Sequence, residues 1–290
     1  MMKFSVVIPT YNRADFIKRC IDSVLEQTFQ DFEIVVVDNF SDDNTLEIIE
    51  SYNDARIHIF QIHNNGIIAA SRNKGIREAQ GEWICFLDSD DWWRKEKLEK
   101  VYGHICCNDC AFIYHKLKTF TSRGATKHLM GKVHEGGNSF YNVLTLGNPI
   151  CTSSVSVKKE VLVSVEYLSE TPELVGVEDV DCWLKILYNG IKTDFLDEDL
   201  GYYWIGDNLS ASAKQTIQLS HLYEKYMKEI PLVIRPIALG YLKYQQGSIY
   251  QSLGLHSQAY SLFKVSIQKA RFSVKAKALC KLIFSAIKSI

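Results

Sequence analysis

The sequence predicts an α/β fold, with a doubly wound and mostly parallel sheet followed by a C-terminal helical extension. Short runs rich in Val, Ile and Phe alternate with amphipathic segments over the N-terminal third of the 290 residues. This alternation is typical of parallel strands joined by helices. The runs are almost continuously apolar, as strands covered on both faces should be. From residue 211 onward the patterns are helical only.

Strands and helices alternate in chain order. The predicted strands are FSVVIP (4–9), FEIVVVD (32–38), RIHIFQI (56–62) and WICFL (83–87), and the helices between them cover 13–27, 42–52 and 68–80. A later segment, VEDVDCWLKILYNG (177–190), begins with carboxylates and stops at a glycine, which predicts another helix. Residues 119–139 show no regular period, so we predict an irregular loop there.

A domain boundary is expected near residue 210, with one α/β domain over 1–210 and a basic helical extension over 211–290. Within the extension, the segment from Gly247 to Phe263 has small and aromatic residues at offsets that resemble a single tetratricopeptide-like helix pair. One such pair cannot bury its own apolar face, so it must pack on the rest of the chain.

The last segment has the pattern of a basic amphipathic helix. Apolar residues recur there at helical spacing while lysines take another face: Leu279, Leu282, Ile283, Ala286, Ile287 and Ile290 against Lys277, Lys281 and Lys288. Such a helix suits an anionic membrane surface, but a helix docked on its own domain has the same pattern. Both interpretations stay open.

The net charge of −1 conceals two opposite parts. Residues 211–290 hold 12 Lys and Arg against two Glu, whereas residues 1–210 hold 21 basic and 32 acidic groups. The acidic part suits cations or a metal-bound ligand, and the basic part suits an anionic partner such as a membrane surface. We expect no nucleic-acid partner.

Composition and cysteine use favour the cytoplasm. The apolar run from Phe4 to Ile8 is too short for a secretory signal, and no apolar stretch approaches the roughly 20 residues that span a bilayer. The eight cysteines lack a disulfide spacing. Cys107 and Cys110 form a C-x-x-C, but no second ligand pair accompanies them, so we interpret them as packing residues rather than zinc ligands. A peripheral position at the inner face of the cell membrane is compatible with the basic tail.

Three of the predicted strands end in polar residues. These are Pro9-Thr10-Tyr11-Asn12 after the first strand, Asp38-Asn39 after the second and Asp88-Ser89-Asp90-Asp91 after the fourth. In parallel sheets the carboxyl ends of the strands meet at one edge, where ligands bind. We therefore expect these residues to lie at one site.

The carboxylates after the fourth strand repel one another unless a cation neutralises them. In an extended chain, Asp88 and Asp90 flank Ser89 and could face the same way. Oxygen ligands suit Mg²⁺ or Mn²⁺, which bind through one or two carboxylates and a substrate's phosphates. The sequence thus predicts a divalent metal site. The simpler alternative is that these acids only cap a helix beginning near Trp92.

Three stretches carry a family resemblance. They are VVIPTYNRADFIKRCIDSVLEQTFQDFEIVVVDNFSDDNT (6–45), NNGIIAASRNKGIREAQGEWICFLDSDD (64–91) and VEDVDCWLKI (177–186). In this order and spacing they resemble the family 2 glycosyltransferases with the GT-A fold, over residues 1–210. The resemblance implies an inverting enzyme that uses a nucleotide-activated sugar, most often a UDP-sugar, together with Mn²⁺ or Mg²⁺.

The resemblance also implies roles for single residues. The donor-binding residues that it implies are Pro9, Thr10, Tyr11, Asn12, Asp38, Arg72 and Asp88. Tyr11 is expected near the uracil ring, Asp38 is expected to accept a hydrogen bond from the base's imide N–H, and Arg72 to support that region. Asp88 is expected near the ribose or donor sugar and as a second metal ligand. Asp90 is expected to bind the metal that bridges the two phosphates.

On the acceptor side, the resemblance implies that Asp179 is the general base, with Glu178 beside it. An inverting displacement needs one base opposite the leaving group and one cation beside it, and two separate acidic clusters meet that need. The expected reaction moves a hexose or N-acetylhexosamine to a hydroxyl of a glycan or lipid-linked glycan, in surface polysaccharide synthesis. Helix capping is the simpler alternative for Glu178 and Asp179. Val177 and Ser71 replace the Gly and Ala of many relatives, without touching this chemistry.

Other functions compete with this interpretation. A phosphohydrolase of the haloacid dehalogenase type also places D-x-D after an apolar strand, but here Asp91-Trp92-Trp93 follows where a Thr or Val is usual. A dehydrogenase would carry G-x-G-x-x-G after the first strand, where PTYNR stands instead. A non-catalytic nucleotide-sugar-binding scaffold remains as the alternative outside enzymes.

Overall fold

The computed structural model describes residues 2–133, 139–206 and 212–288. The chain divides into two compact units. The first comprises residues 1–133, 149–170 and 185–206, and the second comprises 134–148, 171–184 and 207–290. The domain boundary that the sequence predicts near residue 210 falls outside the described residues, so it stays a prediction.

The first unit contains the sheet. Its strands are β1 (Phe4–Thr10), β2 (Phe32–Asp38), β3 (Ile57–Gln61), β4 (Trp83–Phe86), β5 (Trp92–Trp93), β6 (Phe112–Thr121), β7 (Gly124–Met130), β8 (Ser156–Lys158) and β9 (Thr193–Trp204). Their order is β3-β2-β1-β4-β8-β6-β9-β5, with β7 paired to β6. Strands β3, β2, β1 and β4 are mutually parallel, as are β6 and β9, and the other pairs are antiparallel.

The helices complete the two units. In chain order they are α1 (Ala14–Leu25), α2 (Thr45–Glu50), α3 (Ile68–Glu78), α4 (Lys97–Cys107), α5 (Ser139–Leu146), α6 (Lys159–Ser164), α7 (Glu178–Tyr188), α8 (Ala213–Met227), α9 (Arg235–Ser252), α10 (His256–Lys269) and α11 (Phe272–Lys288). None of the helices in the described ranges has the length and apolar character needed to cross a lipid bilayer.

The parallel half of the sheet forms where the sequence predicts it. Every residue of β1 and β2 is buried, which explains their unbroken apolar pattern. Gly75 lets α3 lie close to the sheet, because a Cβ there would come within 2.5 Å of Val7 Cγ1. The predicted α/β class and the helical C-terminal part are confirmed. The strands after residue 90 add antiparallel pairs that the sequence did not predict.

The helix expected to begin near Trp92 is not there. Trp92 and Trp93 form β5 and pair with Tyr202 and Gly201 of β9, and α4 begins only at Lys97. A Cβ on Gly201 would approach the Trp92 carbonyl oxygen to 2.9 Å, so the glycine makes room for this pairing. Partner strand β9 lies far along the sequence, which is why local pattern gave no sign of β5.

The irregular loop expected at residues 119–139 is wrong over most of its length. Strands β6 and β7 form an antiparallel hairpin that turns near Gly124, whose φ is +106°. Most β7 side chains are exposed, so the hairpin lacks the apolar alternation by which strands are recognised. Residues 134–138 of the expected loop lie outside the described residues.

In the second unit, α9 and α10 pack as a helix pair. Phe263 of α10 lies against Gly247 of α9, where a Cβ would meet the ring at 2.8 Å. Ala259, Phe263 and Ala278 form a small core in which α11 also takes part. The helix pair that the sequence indicates is therefore present, and α11 covers part of its apolar face. Residue 290, the last of the apolar positions in the predicted amphipathic helix, lies outside the described residues.

Candidate active site

The carboxyl ends of β1 and β2 are joined around a buried carboxylate. Thr10 pairs with Asp38 across the two strands, and the Asn39 N–H donates to the Thr10 carbonyl at 2.9 Å. Asp38 is fully buried and accepts hydrogen bonds from the Ser41 hydroxyl, the Ser41 N–H at 3.1 Å and the Gln61 amide at 3.1 Å. These donors fix the orientation of the carboxylate at the edge of the sheet.

The turn after β1 is fastened to the loop after β2. Asn12 has a φ of +51°, a conformation that asparagine tolerates better than most residues. Its N–H donates to the Ser41 hydroxyl at 3.0 Å, and its side-chain oxygen accepts the Asp42 N–H at 2.8 Å. Tyr11 is 47% exposed, and its hydroxyl lies 3.4 Å from Asp42 Oδ2. The Tyr11 ring is thus held at the surface.

Arg72 and Asp88 form an ion pair. The Arg72 guanidinium on α3 donates to Asp88 Oδ1 at 2.7 Å, with the arginine side chain 5% exposed and the aspartate 29%. The Asp88 N–H donates to the Ser153 hydroxyl at 3.1 Å. From the sequence, Arg72 and Asp88 were expected at separate parts of the donor. The structure brings them together, so Arg72 orients the carboxylate that follows β4.

Asp90 and Asp91 have different surroundings although they are neighbours in the chain. Asp91 is buried and accepts hydrogen bonds from the Ser153 hydroxyl and, at 2.8 Å, from the Trp204 N–H. Burial, with the charges of Asp90 and Asp88, holds its pKa well above the usual range. Asp91 is therefore a structural tie to β9. The alternative that it caps a helix beginning near Trp92 is wrong, because α4 begins only at Lys97.

The Asp90 carboxylate differs from those of Asp88 and Asp91 in its hydrogen bonding. Burial and the neighbouring Asp88 carboxylate raise its pKa, against the opposing charges of Arg13 and Arg19. Within the described residues, no other side chain donates a hydrogen bond to its carboxylate. A partly buried carboxylate with like charges beside it and no side-chain donor suits a hard divalent cation. The donor set at this position therefore fits Mg²⁺ or Mn²⁺.

Several residues around the cluster were missed by sequence reasoning. The Arg19 guanidinium on α1 lies 3.6 Å from the Trp92 ring centre and donates to the Asp90 carbonyl at 2.9 Å. Ser153 and Trp204 hold Asp91. The Tyr203 hydroxyl has a raised pKa, chiefly from burial and partly from the nearby acids. None of these residues stands next to DSDD in the sequence, so only the fold could identify them.

The second acidic cluster lies in the second unit, in the first turn of α7 as predicted. Glu178 is 4% exposed, and its carboxylate accepts the Gly176 N–H at 2.6 Å. Asp179 is partly buried, and its Oδ1 accepts the Val180 N–H at 2.7 Å. Asp181 is fully buried and accepts hydrogen bonds from Lys225 Nζ at 2.6 Å and the Tyr226 hydroxyl at 2.9 Å. The helical turn with these acids is thereby fixed to α8.

The family assignment follows from comparison with known proteins. The model of the family described as "Glycosyl transferase family 2" matches residues 5–158, more than half of the chain. The chain belongs to glycosyltransferase family 2. The matched range of this family 2 glycosyltransferase includes both ends of the donor-side cluster, from the turn after β1 to DSDD after β4.

Relatives of this family 2 glycosyltransferase include proteins that are named as glycosyltransferases. It is 31% identical over 212 residues to TuaG of Bacillus subtilis, whose name connects it with teichuronic acid biosynthesis, covering 72% of this chain and 82% of TuaG. It is 30% identical over 209 residues to the poly(ribitol-phosphate) β-N-acetylglucosaminyltransferase TarS of Staphylococcus aureus, covering 70% of this chain. The match spans 35% of TarS, which is much the longer protein.

Solved structures share the fold. The family 2 glycosyltransferase matches S. aureus TarS 1–349 in complex with UDP-GlcNAc with a TM-score of 0.69 at 23% identity, over 98% of this chain and 89% of that one. A mannosyltransferase from Pyrobaculum calidifontis, in complex with GDP-Man and Mn²⁺, matches with a TM-score of 0.63 at 18% identity, over 99% of this chain and 86% of that one. At these identities the likeness concerns the fold.

Proposed function

We propose that this enzyme moves a hexose or N-acetylhexosamine from a UDP-sugar to a hydroxyl of a glycan or lipid-linked glycan, with inversion and with a divalent metal. The observation that carries the proposal is the carboxylate pattern at one sheet edge. Asp38 is buried and oriented at the end of β2, while Asp88 and Asp90 follow β4 with one of them lacking a side-chain donor. TarS, whose structure was solved in complex with UDP-GlcNAc, and TuaG support a UDP-sugar donor and surface glycans as acceptors.

The residues after β1 and β2 would bind the nucleoside. Asp38 would accept the imide N–H of uracil, and the exposed Tyr11 ring would lie against the base. The Thr10 hydroxyl is buried and has no hydrogen-bond partner in the described part of the chain. Leaving a buried hydroxyl unpaired is costly, so a ligand that pairs with it gains affinity. Pro9 and Asn12 would shape the turn that closes this pocket.

Asp90, with Asp88 as a second ligand, would hold the divalent cation. When bound, that cation would neutralise charge on the departing diphosphate. Arg72 would keep Asp88 turned toward the donor through their ion pair. Because the pKa of Asp90 is raised, its carboxylate is protonated more often than an ordinary carboxylate at the same pH. A cation that binds there must then displace the proton. Metal affinity is therefore expected to weaken as the pH falls.

Asp179 would act as the general base. It would take the proton of the acceptor hydroxyl as that oxygen bonds to the anomeric carbon and the bond to the nucleoside diphosphate breaks. Glu178 is the poorer candidate, because it is almost fully buried and its carboxylate already accepts the Gly176 N–H. Asp179 is the more accessible of the two acids.

Hydrolysis of UDP-GlcNAc, with water in place of the acceptor, tests the reaction and its base. We expect Asp179→Asn to lower kcat by about 10²- to 10⁴-fold, since a positioned base contributes that much, with donor affinity unchanged. Glu160→Gln, an exposed acid on α6, is the matched control and should keep the wild-type rate. Full activity in Asp179→Asn would show that the base lies elsewhere. Proton NMR of the first sugar released from the α-linked donor should show the β-anomer, and an α-anomer would contradict inversion.

The exposed side of α11 suggests where the enzyme works. Val274, Ala278 and Ser285 are buried, so the helix is docked by one face. Its other face exposes apolar side chains in a row, namely Leu279, Ile283, Phe284 and Ile287, which are 49%, 52%, 49% and 67% exposed. The two interpretations left open by the sequence are thus compatible with each other. We propose that this row, which we call the α11 apolar face, rests on anionic lipid at the inner face of the membrane, where lipid-linked acceptors would be reached.

A further inference from the structure

A second group of metal-ligating side chains lies outside the donor site. His104 stands in the last turn of α4, Cys110 lies two residues before β6, and Asp194 is the second residue of β9. One ligand atom from each lies within 4.8 Å of the other two. His104 Nε2 and Asp194 Oδ2 are 2.9 Å apart. Three segments of the chain therefore bring a nitrogen, a sulfur and an oxygen ligand to one place.

This group lies at the amino ends of the strands, whereas the carboxylate cluster lies at the carboxyl ends. Strand β6 runs parallel to β4, because each is antiparallel to β8 between them. Cys110 precedes β6 and Asp194 begins β9, so both lie at the amino ends of these strands. Asp88 and Asp90 lie beyond the carboxyl end of β4. The group is thus separate from the donor site and can be tested separately.

The sulfur ligand of this group is buried beside the other two. The Cys110 thiol is buried, and burial together with the Asp194 carboxylate raises its pKa to about 11, although Lys192 acts in the opposite sense. Asp194 Oδ2 lies within hydrogen-bond distance of His104 Nε2, and the Cys110 sulfur lies within 4.8 Å of their ligand atoms. A carboxylate, an imidazole and a thiol are ligands that Zn²⁺ takes, and the metal displaces the thiol proton when it binds.

We propose that His104, Cys110 and Asp194 form a zinc-binding site with three protein ligands that joins the end of α4 to the starts of β6 and β9. The fourth position would be taken by water, since the side chains of His104 and Asp194 are 20% and 25% exposed. Binding releases the thiol proton to solvent and changes no oxidation state. The carbonyl end of α4 and the nearby Asp109 add negative potential that favours a cation.

The sequence alone pointed away from this site. The C-x-x-C of Cys107 and Cys110 suggested a search for a second cysteine pair, and none exists. In the fold, Cys110 meets a histidine of the preceding helix and an aspartate on a distant strand instead. A ligand set assembled in this way has no spacing signature, so only the pairing of β6 with β9 reveals it.

Metal content of the full chain tests the proposal. The protein is purified without a histidine tag and dialysed against metal-free buffer, and then zinc is measured by mass spectrometry and Co²⁺ is added as a spectroscopic substitute. We expect one zinc per chain and a thiolate-to-cobalt charge-transfer absorption. Cys110→Ser and Asp194→Asn should abolish that absorption and weaken zinc binding by more than the about 10- to 100-fold that loss of an outer-shell partner costs.

Three control variants distinguish this site from the exposed thiols and from the donor site. Cys106→Ser and Cys280→Ser remove exposed thiols and should leave zinc content and the cobalt spectrum unchanged. Asp90→Asn removes the proposed catalytic metal ligand and should also leave the thiolate absorption intact. The proposal is overturned if wild-type protein shows no thiolate absorption with Co²⁺, or if Cys110→Ser retains the same zinc content. The wild-type cobalt spectrum decides the matter even if Cys110→Ser does not fold.

Discussion

The adjacent acids Asp90 and Asp91 after β4 have different structural roles. Asp91 is buried and bonded to Ser153 and Trp204, whereas Asp90 is partly exposed and has a pKa raised by burial and by Asp88. An ionised carboxylate with a raised pKa destabilises the fold at neutral pH, because the folded state favours its protonated form. The pKa of both acids is raised, but only Asp91 offsets this cost through hydrogen bonds from Ser153 and Trp204. Asp91 thus ties strands together, while Asp90 is the acid that we propose as the metal ligand.

Stability measurements should separate these two acids. In metal-free buffer at neutral pH, we expect Asp90→Asn to keep or raise the free energy of unfolding, because it removes a repelled charge. Asp91→Ala should lower that free energy by about 1–3 kcal/mol, since it leaves the Ser153 hydroxyl and Trp204 N–H without their acceptor. Urea titration followed by circular dichroism measures both. Equal losses in the two variants would contradict the division of roles.

The buried histidine His115 makes the fold sensitive to acid. His115 on β6 is fully buried, and burial with the charge of Lys97 lowers its pKa to about 3. The unfolded chain binds a proton at His115 with a pKa of about 6.5. Between these values the unfolded state holds a proton that the folded state does not. The free energy of unfolding therefore falls with decreasing pH, by up to about 1.4 kcal/mol per unit from this group.

Removal of this histidine should flatten the pH dependence of stability. We expect His115→Gln to show a smaller loss of melting temperature between about pH 7 and about pH 5 than the wild-type protein. The comparison within each variant cancels any loss caused by repacking. His128→Gln, an exposed histidine on β7, should keep the wild-type pH dependence. If His115→Gln is as acid-sensitive as wild type, other groups set the pH dependence.

At the scale of elements, the local sequence pattern predicts strands and helices correctly where elements that are adjacent in the sequence also pack against one another. Strands β1 to β4 alternate with helices α1 to α3 along the chain. The residues of β1, α1 and β2 that are apolar in the sequence are largely the ones that are buried. Pattern also placed the first turn of α7 and its end before Gly190, whose φ is +69°. Regular βα alternation is therefore the part of the fold that this sequence predicts well.

Elements that depend on distant partners were not predictable. Strand β5 has only two residues and exists because β9 pairs with it more than a hundred positions later. The hairpin of β6 and β7 shows mostly polar, exposed β7 residues and so resembles a loop. In the site, the turn after β1, Asp38 and the DSDD motif were predictable from strand ends. Arg19, Ser153 and Trp204 were not, because long-range pairing brings them to the acids.

The ion pair between α7 and α8 should control the acidic turn of α7. Lys225 Nζ donates to buried Asp181 at 2.6 Å, two residues beyond the proposed base Asp179. We expect Lys225→Gln to lower the unfolding free energy of the second unit by on the order of 1–3 kcal/mol, as the loss of a charged donor to a buried acceptor does. It should also lower kcat with little change in donor affinity, because the donor residues belong to the first unit.

Lys228→Gln is the matched control for that variant. Lys228 directly follows α8 and is exposed, so its removal should change neither stability nor kcat. A Lys225→Gln protein with wild-type kcat and weakened UDP-GlcNAc binding would show that the pair supports the donor site instead.

At the scale of the whole molecule, charge and apolar exposure coincide in the C-terminal part. Residues 211–290 carry 12 Lys and Arg against two Glu, and the α11 apolar face lies within that range. Basic charge raises the local concentration of anionic lipid, and apolar side chains then insert at the headgroup boundary. The two features together favour an anionic membrane over an apolar protein partner.

Vesicle sedimentation tests this location. We expect the full chain to bind vesicles of anionic phospholipid and not vesicles of neutral phosphatidylcholine, with binding reduced by added salt. Ile283→Glu with Phe284→Glu should weaken binding at least about tenfold, or ~1.4 kcal/mol, without unfolding α11, because both side chains are exposed. Deletion of residues 273–290 should do the same. Unchanged binding in both variants would leave α11 as a helix that only packs on its own unit.

We propose that the acidic sheet edge binds a nucleotide-sugar through a divalent cation. The most direct measurement is calorimetric titration of the protein with UDP-, GDP- and dTDP-sugars, with and without Mn²⁺ or Mg²⁺. We predict that UDP-sugars bind best, and that omission of metal or Asp90→Asn weakens binding by about tenfold or more, which is ~1.4 kcal/mol. Failure of every nucleotide-sugar to bind in the presence of either metal would contradict the claim.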